Sequence, residues 1–236
     1  MKFEYTQVLS SYRMILFALL LLLTSFQAIA EEQNVNPGIN DYYLADPDYE
    51  EWVRIFESPG REVFDKRKAV VGALDIRPGM DIADIGAGTG LYTRAFSHEV
   101  GPEGMVYAVD IARNFIDGIE QQAKAAGVQN VVGVVNTAKD VNLGPASIDL
   151  AFVCDTYHHF EYPRSMLQSM HQALRPGGSL VIIDFRKIKG YSSSWVMSHT
   201  RSDKKNVIRE VESEGFELIE DQDFLKTNFY LRFIRK

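Results

Sequence analysis

Apolar residues recur along this chain in two rhythms. Runs of five to nine residues with little polar interruption stand at positions 80–85, 104–111, 131–135, 147–155 and 179–184. Apolar runs of that length, bounded by turn residues, predict buried strands. Between them the apolar positions follow helical spacing. Residues 91–96 open one helix, and residues 48–56 form another that Pro59-Gly60 breaks. Residues 61–74 give a further helical pattern, with Val63, Phe64, Arg67, Val70, Val71 and Leu74 on or near one face. At 174–178, Leu-Arg-Pro-Gly-Gly predicts a turn, because Pro176 stops a helix and the glycines accept positive backbone angles. Residues 191–195 read as a polar, flexible stretch. A helix running to about Ser213 follows, with Ser202 or Asp203 as its N-cap. Residues 215–220 and 229–234 supply two last strands. Strands alternating with helices predict an α/β fold.

The amino terminus follows a different pattern. Residues 14–23 are unbroken hydrocarbon behind Arg13, and Ala28-Ile29-Ala30 places small residues where a signal peptidase reads them. Residues 1–30 are therefore expected to be a secretory signal peptide, cleaved near Ala30. Export to the periplasm or beyond would follow, with an uncleaved membrane anchor as the alternative. Ten apolar residues fall short of the roughly 20 that span a bilayer. Residues 31–47, with Pro37-Gly38, read as a linker, and residues 48–236 as one domain. The single cysteine, Cys154, lies in an expected strand and forms no internal disulfide.

Composition changes this picture in one respect. The formal net charge is -7, and no Lys/Arg-rich segment interrupts the acidic balance. Nucleic acid is not expected as a partner, since phosphate contacts call for a basic stripe.

The chemistry begins at Asp84-Ile85-Gly86-Ala87-Gly88-Thr89-Gly90. A strand turning through glycines into a helix lets a ligand approach bare backbone. Dinucleotide folds want G-x-G-x-x-G, but here the third position of that pattern is Leu91. A nicotinamide-dependent oxidoreductase is disfavoured on that ground. Asp110 ends the next strand, about 20 residues on, where an acid receives ribose hydroxyls. The competing reading of Asp110 is a helix N-cap.

The D-x-G-x-G-x-G run resembles motif I of the class I S-adenosylmethionine-dependent methyltransferases. The resemblance continues in order through the strand at 147–155 and the Leu-Arg-Pro-Gly-Gly turn at 174–178. It is nearest to small methyltransferases similar to the ubiquinone/menaquinone C-methyltransferase type. It implies a Rossmann-like seven-stranded sheet, mostly parallel with an antiparallel last strand, and helices on both faces. It also implies S-adenosyl-L-methionine as cofactor, held by Asp84, Gly86, Ala87, Gly88, Gly90 and Asp110. Asn136 and Thr137 stand where the family often carries an acid for the adenine amino group. The asparagine oxygen can still accept that hydrogen bond.

A small-molecule methyl acceptor is expected, with a non-catalytic cofactor-binding protein as the alternative. Asp155, His158 and His159, after the fourth strand, are the candidate catalytic residues, because ligands in such sheets bind beyond the strand ends and histidine suits proton removal. Should they carry no chemistry, Tyr49, Arg61 and Arg67 are the next place to look. His199 and Arg201 are candidate acceptor-binding residues, in a region that covers the substrate in many members of the superfamily. No metal is expected, because two adjacent histidines whose side chains diverge cannot easily share one ion. Trp52, Ile55 and Phe56 either close over the cleft or simply cover the sheet.

Overall fold

The computed structural model describes residues 31–45 and 47–236. The expected signal peptide, residues 1–30, lies outside the described residues. No helix among the described residues is long and apolar enough to cross a membrane.

Seven strands form one sheet in the order β3-β2-β1-β4-β5-β7-β6. They are β1 (Asp81–Ile85), β2 (Met105–Asp110), β3 (Val131–Val135), β4 (Ile148–Cys154), β5 (Leu174–Phe185), β6 (Phe216–Gln222) and β7 (Asn228–Arg235). β1 to β5 pair in parallel, and β7 runs antiparallel between β5 and β6. The chain order reverses beside β1, so the crevice beyond the ends of β1 and β4 is the switch point where such sheets bind ligands.

Strand periodicity sorts the side chains onto two faces. Ala151, Val153, Leu180 and Ile182 join one core cluster, while Leu150, Phe152, Val181 and Ile183 join another. The first cluster is covered by α7 (Pro163–Ala173) and α9 (Lys204–Ser213), through Met166, Leu167, Met170, Val207 and Val211. The second is covered by α3 (Glu62–Asp65), α4 (Arg67–Gly72) and α5 (Leu91–Val100), through Val63, Val70, Tyr92 and Phe96. Ile116 and Ile119 of α6 (Arg113–Ala125) pack over β2 and β3. Each fully buried side chain of this size contributes about 1.5–3 kcal/mol against exposure.

Four local expectations differ from the structure. The Leu-Arg-Pro-Gly-Gly segment is an irregular opening of β5 rather than a separate turn. The register steps from Ile148↔Leu174 to Leu150↔Ser179, so β5 bulges there around Pro176, which cannot donate to a ladder. The helical pattern at 61–74 is two short helices, α3 and α4, parted at Lys66. The stretch at 191–195 leads directly into α8 (Ser194–His199), whose cap Ser193 accepts from Val196 N. Within the expected linker at 31–47, residues 34–40 are docked rather than free. Asn40 Nδ2 donates to the His159 carbonyl at 3.0 Å, and Asn34 Nδ2 to Glu161 at 2.7 Å. One helical turn follows, α1 (Asp41–Leu44), and then α2 (Tyr49–Phe56), which Asp48 caps through Glu51 N.

Candidate active site

A cavity of about 1080 Å³ opens at the switch point and reaches from the glycine turn to α8. Asp84, Gly86, Ala87, Gly88, Asp110, Asn136 and Thr137 line one end, and Asp155, His158, His159 and His199 line the other. Gly90 and Arg201 do not line it.

At the first end the backbone sets the geometry. Gly86 has φ +72°, and a Cβ there would overlap the Thr156 side chain. Gly88 has φ +54°, and its added Cβ would stand 3.3 Å from the Phe56 ring. Gly90 is the left-handed residue that opens α5, and a Cβ there would press on Ile119 at 2.8 Å. It therefore serves helix–helix packing. Asp110 accepts from Gly88 N at 2.8 Å and from Ala112 N at 2.9 Å. Ala112 occupies the N-cap of α6, so Asp110 is not that helix's cap; it ties the end of β2 to the glycine turn.

Burial raises the Asp110 carboxyl to about 6 against the backbone donors that lower it. Asp84 accepts from Thr93 Oγ1 at 2.6 Å, and burial raises it to about 7, with the charge of Asp110 adding to the rise. Asn136 spends its amide on the Thr137 carbonyl at 2.8 Å, which turns its acceptor function to other use.

A roof of aromatic side chains covers this end. Trp52 packs against Tyr43 with ring centroids 5.2 Å apart and against Phe56 at 4.6 Å, and Phe115 completes the group. Trp52, Ile55 and Phe56 line the cavity, so α2 closes over the cleft.

The second end is made of side chains. Asp155, at φ +49°, follows β4. Its Oδ2 accepts from Arg61 at 2.7 Å and its Oδ1 from Asn228 at 2.6 Å. Burial raises its pKa, and the Arg61 charge works against the rise. Residues 157–159 form one turn of 3₁₀ helix that aims both histidines inward. His158 is 2% exposed, and its Nδ1 stands 2.7 Å from Asp184 Oδ1. Its backbone N–H donates to the other oxygen of Asp184 at 2.9 Å. Burial lowers the His158 pKa, but the Asp184 carboxylate more than offsets this and the net shift is upward. His159 shifts the other way, to about 3, through burial and the neighbouring His158 and His199.

His199 stacks on Trp195 at 4.4 Å and meets both other imidazoles edge-on, at 5.0 and 5.2 Å. Arg201 departs from its expected role. Glu210 grips its guanidinium through two bonds of 2.8 and 2.7 Å, and the group lies over the Tyr157 ring. Of the three reserve residues, Arg61 lines the cavity. Tyr49 instead donates to the Thr89 carbonyl, and Arg67 covers Phe64.

Sequence reasoning missed Tyr43, Asp184 and Asn228. Asp184 ends its strand just as Asp110 does, a signal that was present; Tyr43 was hidden in a segment whose Pro-Gly reads as linker.

Residues 83–182 match the methyltransferase domain family. A demethylmenaquinone methyltransferase from Geobacillus stearothermophilus is 30% identical over 118 residues, 50% of each chain. A ubiquinone/menaquinone biosynthesis C-methyltransferase from Shewanella sp. (strain W3-18-1) is 30% identical over 112 residues, 47% of this chain and 45% of that one. The chain thus spans about half the length of the curated relatives it matches. An S-adenosylmethionine-dependent methyltransferase from Aquifex aeolicus has the same fold, with a TM-score of 0.71 at 23% identity, over 80% of this chain and 100% of that one. The [4+2]-cyclase SpnF has it too, at a TM-score of 0.63 and 14% identity, over 76% and 84%.

The match over residues 83–182, the half-length relatives and the shared fold support a class I S-adenosylmethionine-dependent methyltransferase domain. Together they imply S-adenosylmethionine as the cofactor. The glycine turn fits that group: bare backbone under an aromatic roof, with a buried carboxylate whose remaining lone pairs can receive ribose hydroxyls.

Proposed function

We propose that the protein transfers a methyl group from S-adenosylmethionine to a small, largely apolar acceptor. One observation carries this reading: a single cavity joins the glycine turn and Asp110 to a chamber walled by His158, His159, His199, Phe185 and Trp195. When bound, the cofactor supplies an electrophilic methyl on a sulfonium. The chain's own task is then to align the acceptor, exclude water and take up any proton released. Alignment is assigned to the aromatic walls. The proton is assigned to the histidine cluster, in which His158, paired with Asp184, is the strongest base. Asp155 and Arg61 hold the loop after β4 in place and set the floor between the two ends.

The sequence relatives named for menaquinone and ubiquinone methylation support a hydroxylated ring as the acceptor class, with carbon as the acceptor atom. Transfer of tritium from labelled donor to extracted hydroxylated aromatic compounds tests this. Label that stays in the donor across such acceptors, despite tight donor binding, would favour the second reading, a non-catalytic binder of the cofactor. SpnF, named as a cyclase, shows that this fold also serves other chemistry. The pattern of residues 1–30 further supports export with cleavage near Ala30. A native amino terminus at Glu31 is the expected result, and an intact one in the soluble cytoplasmic fraction would overturn it.

A further inference from the structure

We propose that His158, His159 and His199 form a binding site for one divalent transition-metal ion, at the end of the cavity away from the glycine turn. The adjacent pair alone would not carry this. His199 comes from α8, some 40 residues along the chain, and the three rings each offer a ligand nitrogen within 4.8 Å of the others. Tetrahedral ligands at about 2.1 Å from an ion stand roughly 3.4 Å apart, so rotations of the side chains bring the set to coordinating distance.

Three features point to a cation rather than to packing alone. His159 Nδ1 is buried and has no hydrogen-bond partner, a costly state for a ring nitrogen unless a ligand takes it up. His158 Nδ1 is held by Asp184, which leaves Nε2 as its free donor atom. A carboxylate behind a histidine is how proteins fix the tautomer and orientation of a metal ligand. All three residues line the cavity, so coordination positions left by the protein face the space an acceptor would enter. Nearby Asp184 and Asp155 offset the added positive charge.

Three neutral imidazoles suit zinc, iron, cobalt, nickel or copper over magnesium or calcium, which prefer oxygen. A bound ion would occupy His158, so that ring would no longer take up a proton, and a proton released by the acceptor would pass to solvent as the acceptor enters. An acceptor oxygen on the open side of such an ion loses its proton more readily. That last step rests on the methyl-transfer reading, whereas ion binding itself does not.

The test uses the full chain, stripped with chelator and titrated with Co²⁺ as the probe. One equivalent should bind, with visible absorption bands of a nitrogen-rich site. His159→Ala and His199→Ala should each weaken Co²⁺ binding by more than about 100-fold, and Asp184→Asn by about 10- to 100-fold. His98→Ala, on the exposed face of α5, should change nothing. If His159→Ala fails to fold, His199→Ala decides, because its ring sits nearer the surface. Absence of stoichiometric binding, or binding undiminished in His199→Ala, would overturn the proposal. Donor calorimetry on the same samples separates the two ideas. Co²⁺ binding without donor binding would defeat the methyl-transfer reading alone, and donor binding without Co²⁺ binding would defeat the metal site alone.

Discussion

At the glycine end of the cavity the chemistry is presented by backbone, and the side chains that matter, Asp84 and Asp110, sit on adjacent parallel strands. At the histidine end it is presented by side chains drawn from the loop after β4, the end of β5, α8 and the docked amino-terminal segment. The first end is held by the pairing of β1 with β2 and by the Asp110 bonds to Gly88 N and Ala112 N. The second is held by paired charges and stacked rings: Asp155 with Arg61, His158 with Asp184, His199 with Trp195. A cofactor common to many proteins needs the first kind of site. An acceptor particular to one protein calls for the second, where single side chains can be changed without touching the sheet.

The largest test of this contrast is Gly86→Val. The added side chain would overlap Thr156 at a backbone angle that branched residues avoid. Donor affinity should fall at least about 100-fold, roughly 2.7 kcal/mol, and calorimetry at matched folded content measures it. Near-normal donor binding would mean that the glycine end is not governed by its backbone.

Asp110→Ala comes next. Losing a charged acceptor should weaken donor binding by about 1–3 kcal/mol. The corresponding change at the other end, His199→Ala, should leave donor affinity within about twofold while reducing turnover. Equal losses of donor affinity in both variants would erase the distinction between the ends.

Arg61→Gln probes how the ends are joined. Asp155 would keep Asn228 but lose the cation that offsets its burial. Urea unfolding should show a loss of about 1–3 kcal/mol. An unchanged midpoint would show that Asp155 is satisfied without Arg61.

Why one end could be read from sequence and the other only in part follows from the same contrast. Motif I and Asp110 are local: each is a strand followed at once by its functional residue, so spacing carries the geometry. The mostly parallel seven-stranded sheet with its antiparallel last strand was legible only through the family resemblance those landmarks carry, and the strand order only in the structure. His158 and His159 were visible because they also follow a strand directly. Their meeting with His199 was not, since it depends on where α8 packs, and neither was the partner of Arg201. Tyr43 and Asn40 escaped because a short polar segment with Pro-Gly has the composition of a linker whether or not it docks. Hydrogen bonds to the His159 carbonyl and to Glu161 are long-range, and no periodicity records them.

A smaller effect should appear in the pH dependence of stability. Burial raises Asp84 to about 7 and Asp110 to about 6, both above their ordinary value of 3.8. A carboxyl whose folded pKa is raised binds its proton more tightly when folded. Its stabilising contribution is therefore complete below about pH 4 and is lost as pH rises through 6 to 7. The donor-free protein should melt at progressively lower temperature across that window. Asp84→Asn, which cannot titrate, should flatten the slope, and an unaltered slope would show that Asp84 does not titrate there.

The smallest effect on catalysis is expected from Arg201→Ala. Its position in the chain suggests a grip on an anionic acceptor. Its guanidinium is instead committed to Glu210, whose carboxylate also accepts from the Tyr157 hydroxyl at 2.8 Å. The side chain is only 13% exposed, and it lies outside the cavity lining. Removing it should cost stability by about 0.5–2 kcal/mol, shared with Glu210 in a double-mutant cycle. The acceptor KM should stay within about twofold, because nothing that faces the cavity is removed. A tenfold rise in KM with stability intact would instead mean that Arg201 leaves Glu210 for the acceptor in the working state. The histidine end would then extend beyond its present wall, past α8.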